Sequence, residues 1–232
     1  GAGARIAIVG RTGSGKSTFV KLLARLQDPP AGTVLLNGVP LEDIARTALR
    51  RRVAFVPQDP FLLDASIADN VRSGDPAADD DRVMALFAEL GLEDWVAGLP
   101  DGLASRTGER GACLSSGERQ LVALARARAS DPDLLILDEA TSAVDPALDV
   151  QLRRAVAVII AGRTSVTVAH RLATAEHADR ILVFAGGRLV EDGPHARLIA
   201  AGGAYTRLHE RWMVETRSTG AGGPVPGGPG AP

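Results

Sequence analysis

Three short stretches carry residue types and spacings that could do chemistry. In "GRTGSGKST", Gly10 to Thr18, glycines at 10, 13 and 15 precede a lysine, Lys16, and two hydroxyls, Ser17 and Thr18. Glycines let consecutive backbone N–H groups converge on an anion, and a helix opening there adds the positive end of its dipole. Lys16 would reach the outer phosphates of a triphosphate, Thr12, Ser14 and Thr18 complete the loop, and the Ser17 hydroxyl would ligate Mg²⁺. The alternative is a glycine-rich turn without a ligand. The full G-x-x-x-x-G-K-[ST] spacing, with an apolar run before it and helical periodicity after it, disfavours that.

The second stretch, "LLILDEA", delivers Asp138 and Glu139 at the carboxyl end of an apolar run, where open α/β sheets bind ligands. Successive side chains on an extended segment diverge, so the two carboxylates can divide the work. Asp138 would hold Mg²⁺, directly or through water, and Glu139 would polarise the attacking water as general base. Alone, the pair could be a solvated acidic turn; beside a phosphate loop it reads as part of a triphosphatase. The third stretch, "CLSSGERQLVALARA", holds Ser115-x-x-Glu118, a capping box taken by itself. A helix opening is also an anion site. Since Gly10–Ser17 already cradles the chain's own triphosphate, a second such opening points to nucleotide held by a partner molecule.

The elements that must position these residues alternate. Apolar runs at 4–9, 33–41, 53–57, 134–137, 164–169, 181–184 and 188–191 read as strands, and helical periodicities lie between them. The pattern predicts an α/β fold, a P-loop core with a mainly parallel sheet, over residues 1–216. A helix is expected over 17–26, with Phe19, Val20, Leu22, Leu23 and Leu26 inward. From about 72 to 130 the pattern is helical, an inserted subdomain; "DDDRVMALFAELG" puts Val83, Leu86, Phe87 and Leu90 on one face, with Gly91 as a stop. Gly186-Gly187 signals a hairpin, and Asp145-Pro146 a cap and first-turn proline. Residues 217–232 are too rich in glycine and proline to bury a core and read as a disordered tail.

Composition narrows the class. In 232 residues, 28 acidic side chains outnumber 26 basic ones that are not gathered in blocks, so no nucleic-acid footprint is expected. The longest apolar run, "AVAVIIA" at 155–161, is too short to span a bilayer, and a single cysteine forms no internal disulfide framework.

These motifs in this order resemble the nucleotide-binding domain of an ATP-binding cassette transporter, over residues 1 to about 215. The matching residues are the phosphate loop, Gln58 after a core strand, "LSSGE" at 114–118, "LLILDE", "SAVD" at 142–145, and His170 after a strand. The resemblance implies a head-to-tail pair in which each "LSSGE" helix closes on the other copy's ATP. Gln58 would contact Mg²⁺ and the lytic water, Ser115 and Gly117 the partner's γ-phosphate, and Asp145 the pair interface. His170 would touch the γ-phosphate and hold Glu139 and the water; His177, His195 and His209 read as structural. Gly108–Gly111 and "VPQDPFLLDASIADNV" resemble the exporter version of the family, although Phe61 and Leu62 could equally be core residues.

Ser116 stands where the family more often has glycine, and Glu118 replaces a commoner glutamine; Cys113 reads as a small apolar filler. The family's adenine-stacking aromatic lies in a strand upstream of the loop that this sequence does not contain, so N-terminal β strands are expected to be missing and base contact weak. The resemblance further implies a membrane domain fused N-terminally, a position on the cytoplasmic face of the cell membrane, and MgATP hydrolysis that powers export. Two alternatives remain: a nucleotide-gated interaction module with little turnover, and a soluble relative not linked to transport.

Overall fold

A computed structural model of the chain describes residues 3–138, 145–169 and 171–220. The strands are β1 (Arg5–Gly10), β2 (Leu35–Leu36), β3 (Val39–Pro40), β4 (Val53–Val56), β5 (Leu134–Asp138), β6 (Thr164–Val168), β7 (Arg180–Ala185) and β8 (Arg188–Gly193). The helices are α1 (Lys16–Leu23), α2 (Arg46–Arg52), α3 (Ile67–Arg72), α4 (Asp80–Glu89), α5 (Glu93–Ala97), α6 (Ser116–Ala129), α7 (Pro146–Ile160), α8 (Leu172–Glu176), α9 (His195–Ala200) and α10 (Ala204–Gly220). Six strands form one sheet in the order β4-β5-β6-β1-β7-β8. All neighbours in it are parallel except the β7–β8 hairpin. This is the mainly parallel α/β core that the sequence predicts.

Both faces of the sheet are covered, so its strands are apolar on both sides. Along β1, Ala7 and Val9 join Tyr205 and Leu198 under α9 and α10, while Ile8 points the other way onto Val20 of α1. Along β5, Leu135 and Leu137 face the helical layer and Ile136 the α1 side. That layer packs around Val83, Leu86, Phe87 and Leu90, all buried as their spacing predicts. It begins with α3 at Ile67, five residues ahead of the expected boundary, where the Ser66 side chain caps the helix by accepting from the Asp69 N–H.

Three expectations need correction. α1 ends at Leu23, not Leu26, and Leu26 is 62% exposed. The stop is a Schellman turn: Leu26 N–H donates to the Lys21 carbonyl, and Arg25 adopts φ 50°. That strain is offset by the Arg25 guanidinium, which donates to the carbonyls of Ile44 and Glu42. The stretch 33–41 is not one strand but the two-residue ladder of β2 and β3, turned by Asn37 and Gly38, both at positive φ. Finally, α10 runs to Gly220, past the 216/217 boundary read from composition; the rest of the tail lies outside the described residues.

Candidate active site

The parallel register brings part of the predicted site to one edge. Ile8 pairs with Val168, and Val168 with Asp138; Leu137 pairs with Val56. The segments that leave the carboxyl ends of β1, β4, β5 and β6 therefore emerge side by side. The first three carry Gly10–Thr18, Gln58 and Asp138, at the edge where open α/β sheets bind ligands. Glu139 and His170 themselves lie outside the described residues, as does "SAV" of "SAVD".

The loop Gly10–Thr18 is shaped for an anion. Gly13 and Gly15 adopt φ 77° and 100°, which L side chains rarely take. A Cβ at Gly10 would lie 2.3 Å from the Phe184 carbonyl oxygen, so only glycine fits there. Gly15 occupies the position before α1 and has no side chain with which to cap the helix. The turn of the β7–β8 hairpin supports the loop from behind: Gly187 N–H donates to the Ser14 carbonyl at 3.1 Å. Lys16 is only 6% exposed, and its Nζ donates to the carbonyls of Gly10 and Arg11 at 2.8 and 2.9 Å, which bridges the loop. Burial lowers its pKa, partly opposed by the charge of Asp138. The buried Ser14 hydroxyl has no hydrogen-bond partner among the described residues. An uncapped helix start, an orphaned hydroxyl and a desolvated ammonium within one loop fit a phosphate group, which would satisfy all three. Thr12, Ser17 and Thr18 are exposed beside it.

Gln58 is exposed, and its backbone is fastened to α6. Gln120 Nε2 donates to the Gln58 carbonyl at 2.8 Å, Arg119 pairs with Asp59 at 3.1 Å, and Arg126 donates to the Phe61 carbonyl at 2.9 Å. Arg126 also donates to the backbone and side-chain oxygens of Asn70, a fully buried residue that binds both backbone groups of Leu63. This network was not read from the sequence, because its partners stand about sixty positions apart. The one available signal was the seven-residue spacing of Arg119 and Arg126, which puts both on one face of a helix. The two apolar residues left open divide: Leu62 is fully buried, while Phe61 is 59% exposed beside the half-exposed Leu63. Arg126→Ala should cost about 3 kcal/mol in urea unfolding, because it strands buried acceptors that a charged donor now satisfies.

At the start of α6 both halves of the capping box are made. The Ser115 hydroxyl oxygen accepts from Glu118 N–H at 3.3 Å, and Glu118 Oε2 accepts from Ser115 N–H at 2.8 Å. The other Glu118 oxygen accepts from the Trp95 indole. Burial alone would raise the Glu118 pKa; bonds from Ser115 and Trp95 outweigh it and hold the carboxyl below its usual range. Ser115 and Ser116 are exposed at the helix tip, while Gly117 is buried beneath them. Ser116 lies within α6 and is not at positive φ, so its Cβ is accommodated without backbone strain. Asp145 is exposed and caps α7, accepting from Ala147 N–H.

The sequence profile of the family described as ABC transporter matches residues 1–142. The chain belongs to the ABC transporter family. Membership of that family implies that the chain binds ATP. Among its relatives is the ATP-dependent lipid A-core flippase of Burkholderia orbicola, 46% identical over 207 residues, covering 89% of this chain and 35% of that protein. A multidrug efflux ATP-binding/permease protein of Mycobacterium bovis is 44% identical over 216 residues, covering 93% of this chain and 18% of that protein. Among solved structures, a bacterial Atm1-family ABC exporter with ATP bound superposes with TM-score 0.82 at 38% identity, over 90% of this chain and 37% of that one. The ABC chain thus spans about a third of the length, or less, of these relatives.

Proposed function

We propose that this chain hydrolyses MgATP in a head-to-tail pair of nucleotide-binding domains and so powers export through a membrane domain. That domain would belong to the same full-length protein, with the pair on the cytoplasmic face. The names of these relatives, a multidrug efflux protein and a lipid A-core flippase, support export, and the ATP-binding/permease character of the Mycobacterium bovis protein supports the membrane partner. The observation that carries the paired arrangement is Ser115. It caps α6 while remaining exposed at the tip, and no described residue accepts its hydroxyl proton. The chain's own phosphate loop opens a different helix.

The residues then divide the work. Loop N–H groups and Lys16 orient the phosphates, and oxygen donors on Ser17, Asp138 and Gln58 suit a hard Mg²⁺ ion. When bound, the ion supplies charge neutralisation at the phosphate oxygens. Glu139 accepts a proton from the attacking water, and His170 fixes that water and the γ-phosphate. Ser115 and Gly117 of one copy close on the other copy's γ-phosphate, with Asp145 at the contact. Catalysis in this arrangement is positioning plus electrostatic stabilisation, completed only on closure.

Sedimentation velocity tests the pairing. Glu139→Gln with ATP should run as a pair, and adding Ser115→Arg should return it to single copies while ATP binding persists. If the Glu139→Gln chain stays single at saturating ATP, or if Ser115→Arg leaves the pair intact, the head-to-tail reading fails.

A further inference from the structure

On the side of the domain built by the last helices, three metal-competent side chains converge from three separate elements. Glu176 ends α8, His195 begins α9, and His209 lies in α10. Each offers one ligand atom, and these atoms all lie within 4.8 Å of one another. Glu176 Oε1 and His209 Nε2 are 3.0 Å apart. Two ligands of one tetrahedral zinc, each at about 2.0–2.1 Å, stand about 3.3 Å apart, so this edge is nearly at its coordination length. The His195 and His209 rings are 5.3 Å apart between centroids.

The outer partners are in place as well. His195 Nδ1 is 2.8 Å from the hydroxyl of Tyr205, which is fully buried and meets the imidazole edge-on. With Nδ1 held by the Tyr205 hydroxyl, Nε2 is the ring nitrogen left for a metal, as where an outer partner orients a liganding histidine. His195 contacts Tyr205 of an apolar group that also holds Ala175 and Leu198; the two histidines are part-buried and Glu176 is exposed.

We propose that Glu176, His195 and His209 form a binding site for a divalent transition metal of the zinc class, one that fastens α10 to α8 and α9. Two imidazoles and one carboxylate favour such an ion over Mg²⁺ or Ca²⁺, and three protein ligands leave a fourth position for water. The site shares no residue with the nucleotide loop, so it stands whether or not the hydrolysis reading holds.

The test is zinc titration of the untagged chain against a chromophoric chelator, together with thermal unfolding. One equivalent should bind, and a hundredfold excess over Kd should raise Tm by about 5 °C or more. His209→Gln and Glu176→Gln change partly exposed side chains and should keep the apo Tm. Each should weaken zinc more than the 10–100-fold that loss of an outer partner costs, whereas Tyr205→Phe should fall within about that range. Cys113→Ser and His177→Ala should bind like the parent. The cobalt(II) complex should show d–d absorption without a thiolate charge-transfer band. Absence of zinc binding, or binding that survives His209→Gln and is lost in Cys113→Ser or His177→Ala, overturns the assignment.

Discussion

Glu139→Gln should lower ATP turnover by about 10²–10⁴-fold and leave nucleotide affinity unchanged. The substitution preserves volume and polarity but removes the group proposed to take the proton of the attacking water. Binding rests on the phosphate loop, which this change does not touch. The register of β5 is consistent with the assignment: Asp138, the residue before it in the chain, pairs with Val168 at the carboxyl edge of the sheet. Steady-state phosphate release and equilibrium binding of a fluorescent ATP analogue measure the two quantities separately. Undiminished turnover would assign the base elsewhere; a parent chain that binds ATP and pairs but releases no phosphate would be the nucleotide-gated module instead.

Lys16→Met should reduce turnover by about 10²–10³-fold and also weaken ATP, a double loss that distinguishes it from Glu139→Gln. Methionine fills the buried space but brings no cation to the outer phosphates. Without nucleotide, loss of the two Nζ bonds to the Gly10 and Arg11 carbonyls opposes the relief of no longer burying a charge, so the apo Tm should change little at neutral pH. Burial depresses the Lys16 pKa below 10.5, so the unfolded chain binds more protons than the folded one in the window between that depressed value and 10.5. The buried charge therefore costs the parent stability at neutral pH, and this cost diminishes as pH rises through the window. Thermal unfolding with and without ATP checks both halves: the apo Tm is kept, and the ATP-induced rise is lost.

Local signals made much of this legible in the sequence. The G-x-x-x-x-G-K-[ST] spacing, the apolar runs of the central strands, Gly186-Gly187 and Asp145-Pro146 each encode their geometry within a few residues, and the structure has a loop, strands, a hairpin and a cap there. The boundary of α1 was not legible, because arginine rather than glycine occupies the left-handed position at Arg25, and its guanidinium contacts stand some twenty residues away. The strand order was hidden for a related reason: β6 inserts between β1 and β5 although it follows both in the chain. The same applies to the bonds joining Arg119, Gln120 and Arg126 to Gln58–Phe61, since no local pattern announces partners so far apart.

Those bonds have a mechanical consequence. The 58–61 segment is bonded to α6 at three points: the Gln58 and Phe61 carbonyls and the Asp59 carboxylate are held by the shaft of a helix whose tip is Ser115. The exposed ring of Phe61 and the Ser115 tip are therefore two ends of one lever. By reciprocity, whatever docks on Phe61 and shifts the tip must be gripped more tightly or more loosely, by the same factor, when the tip engages its own target.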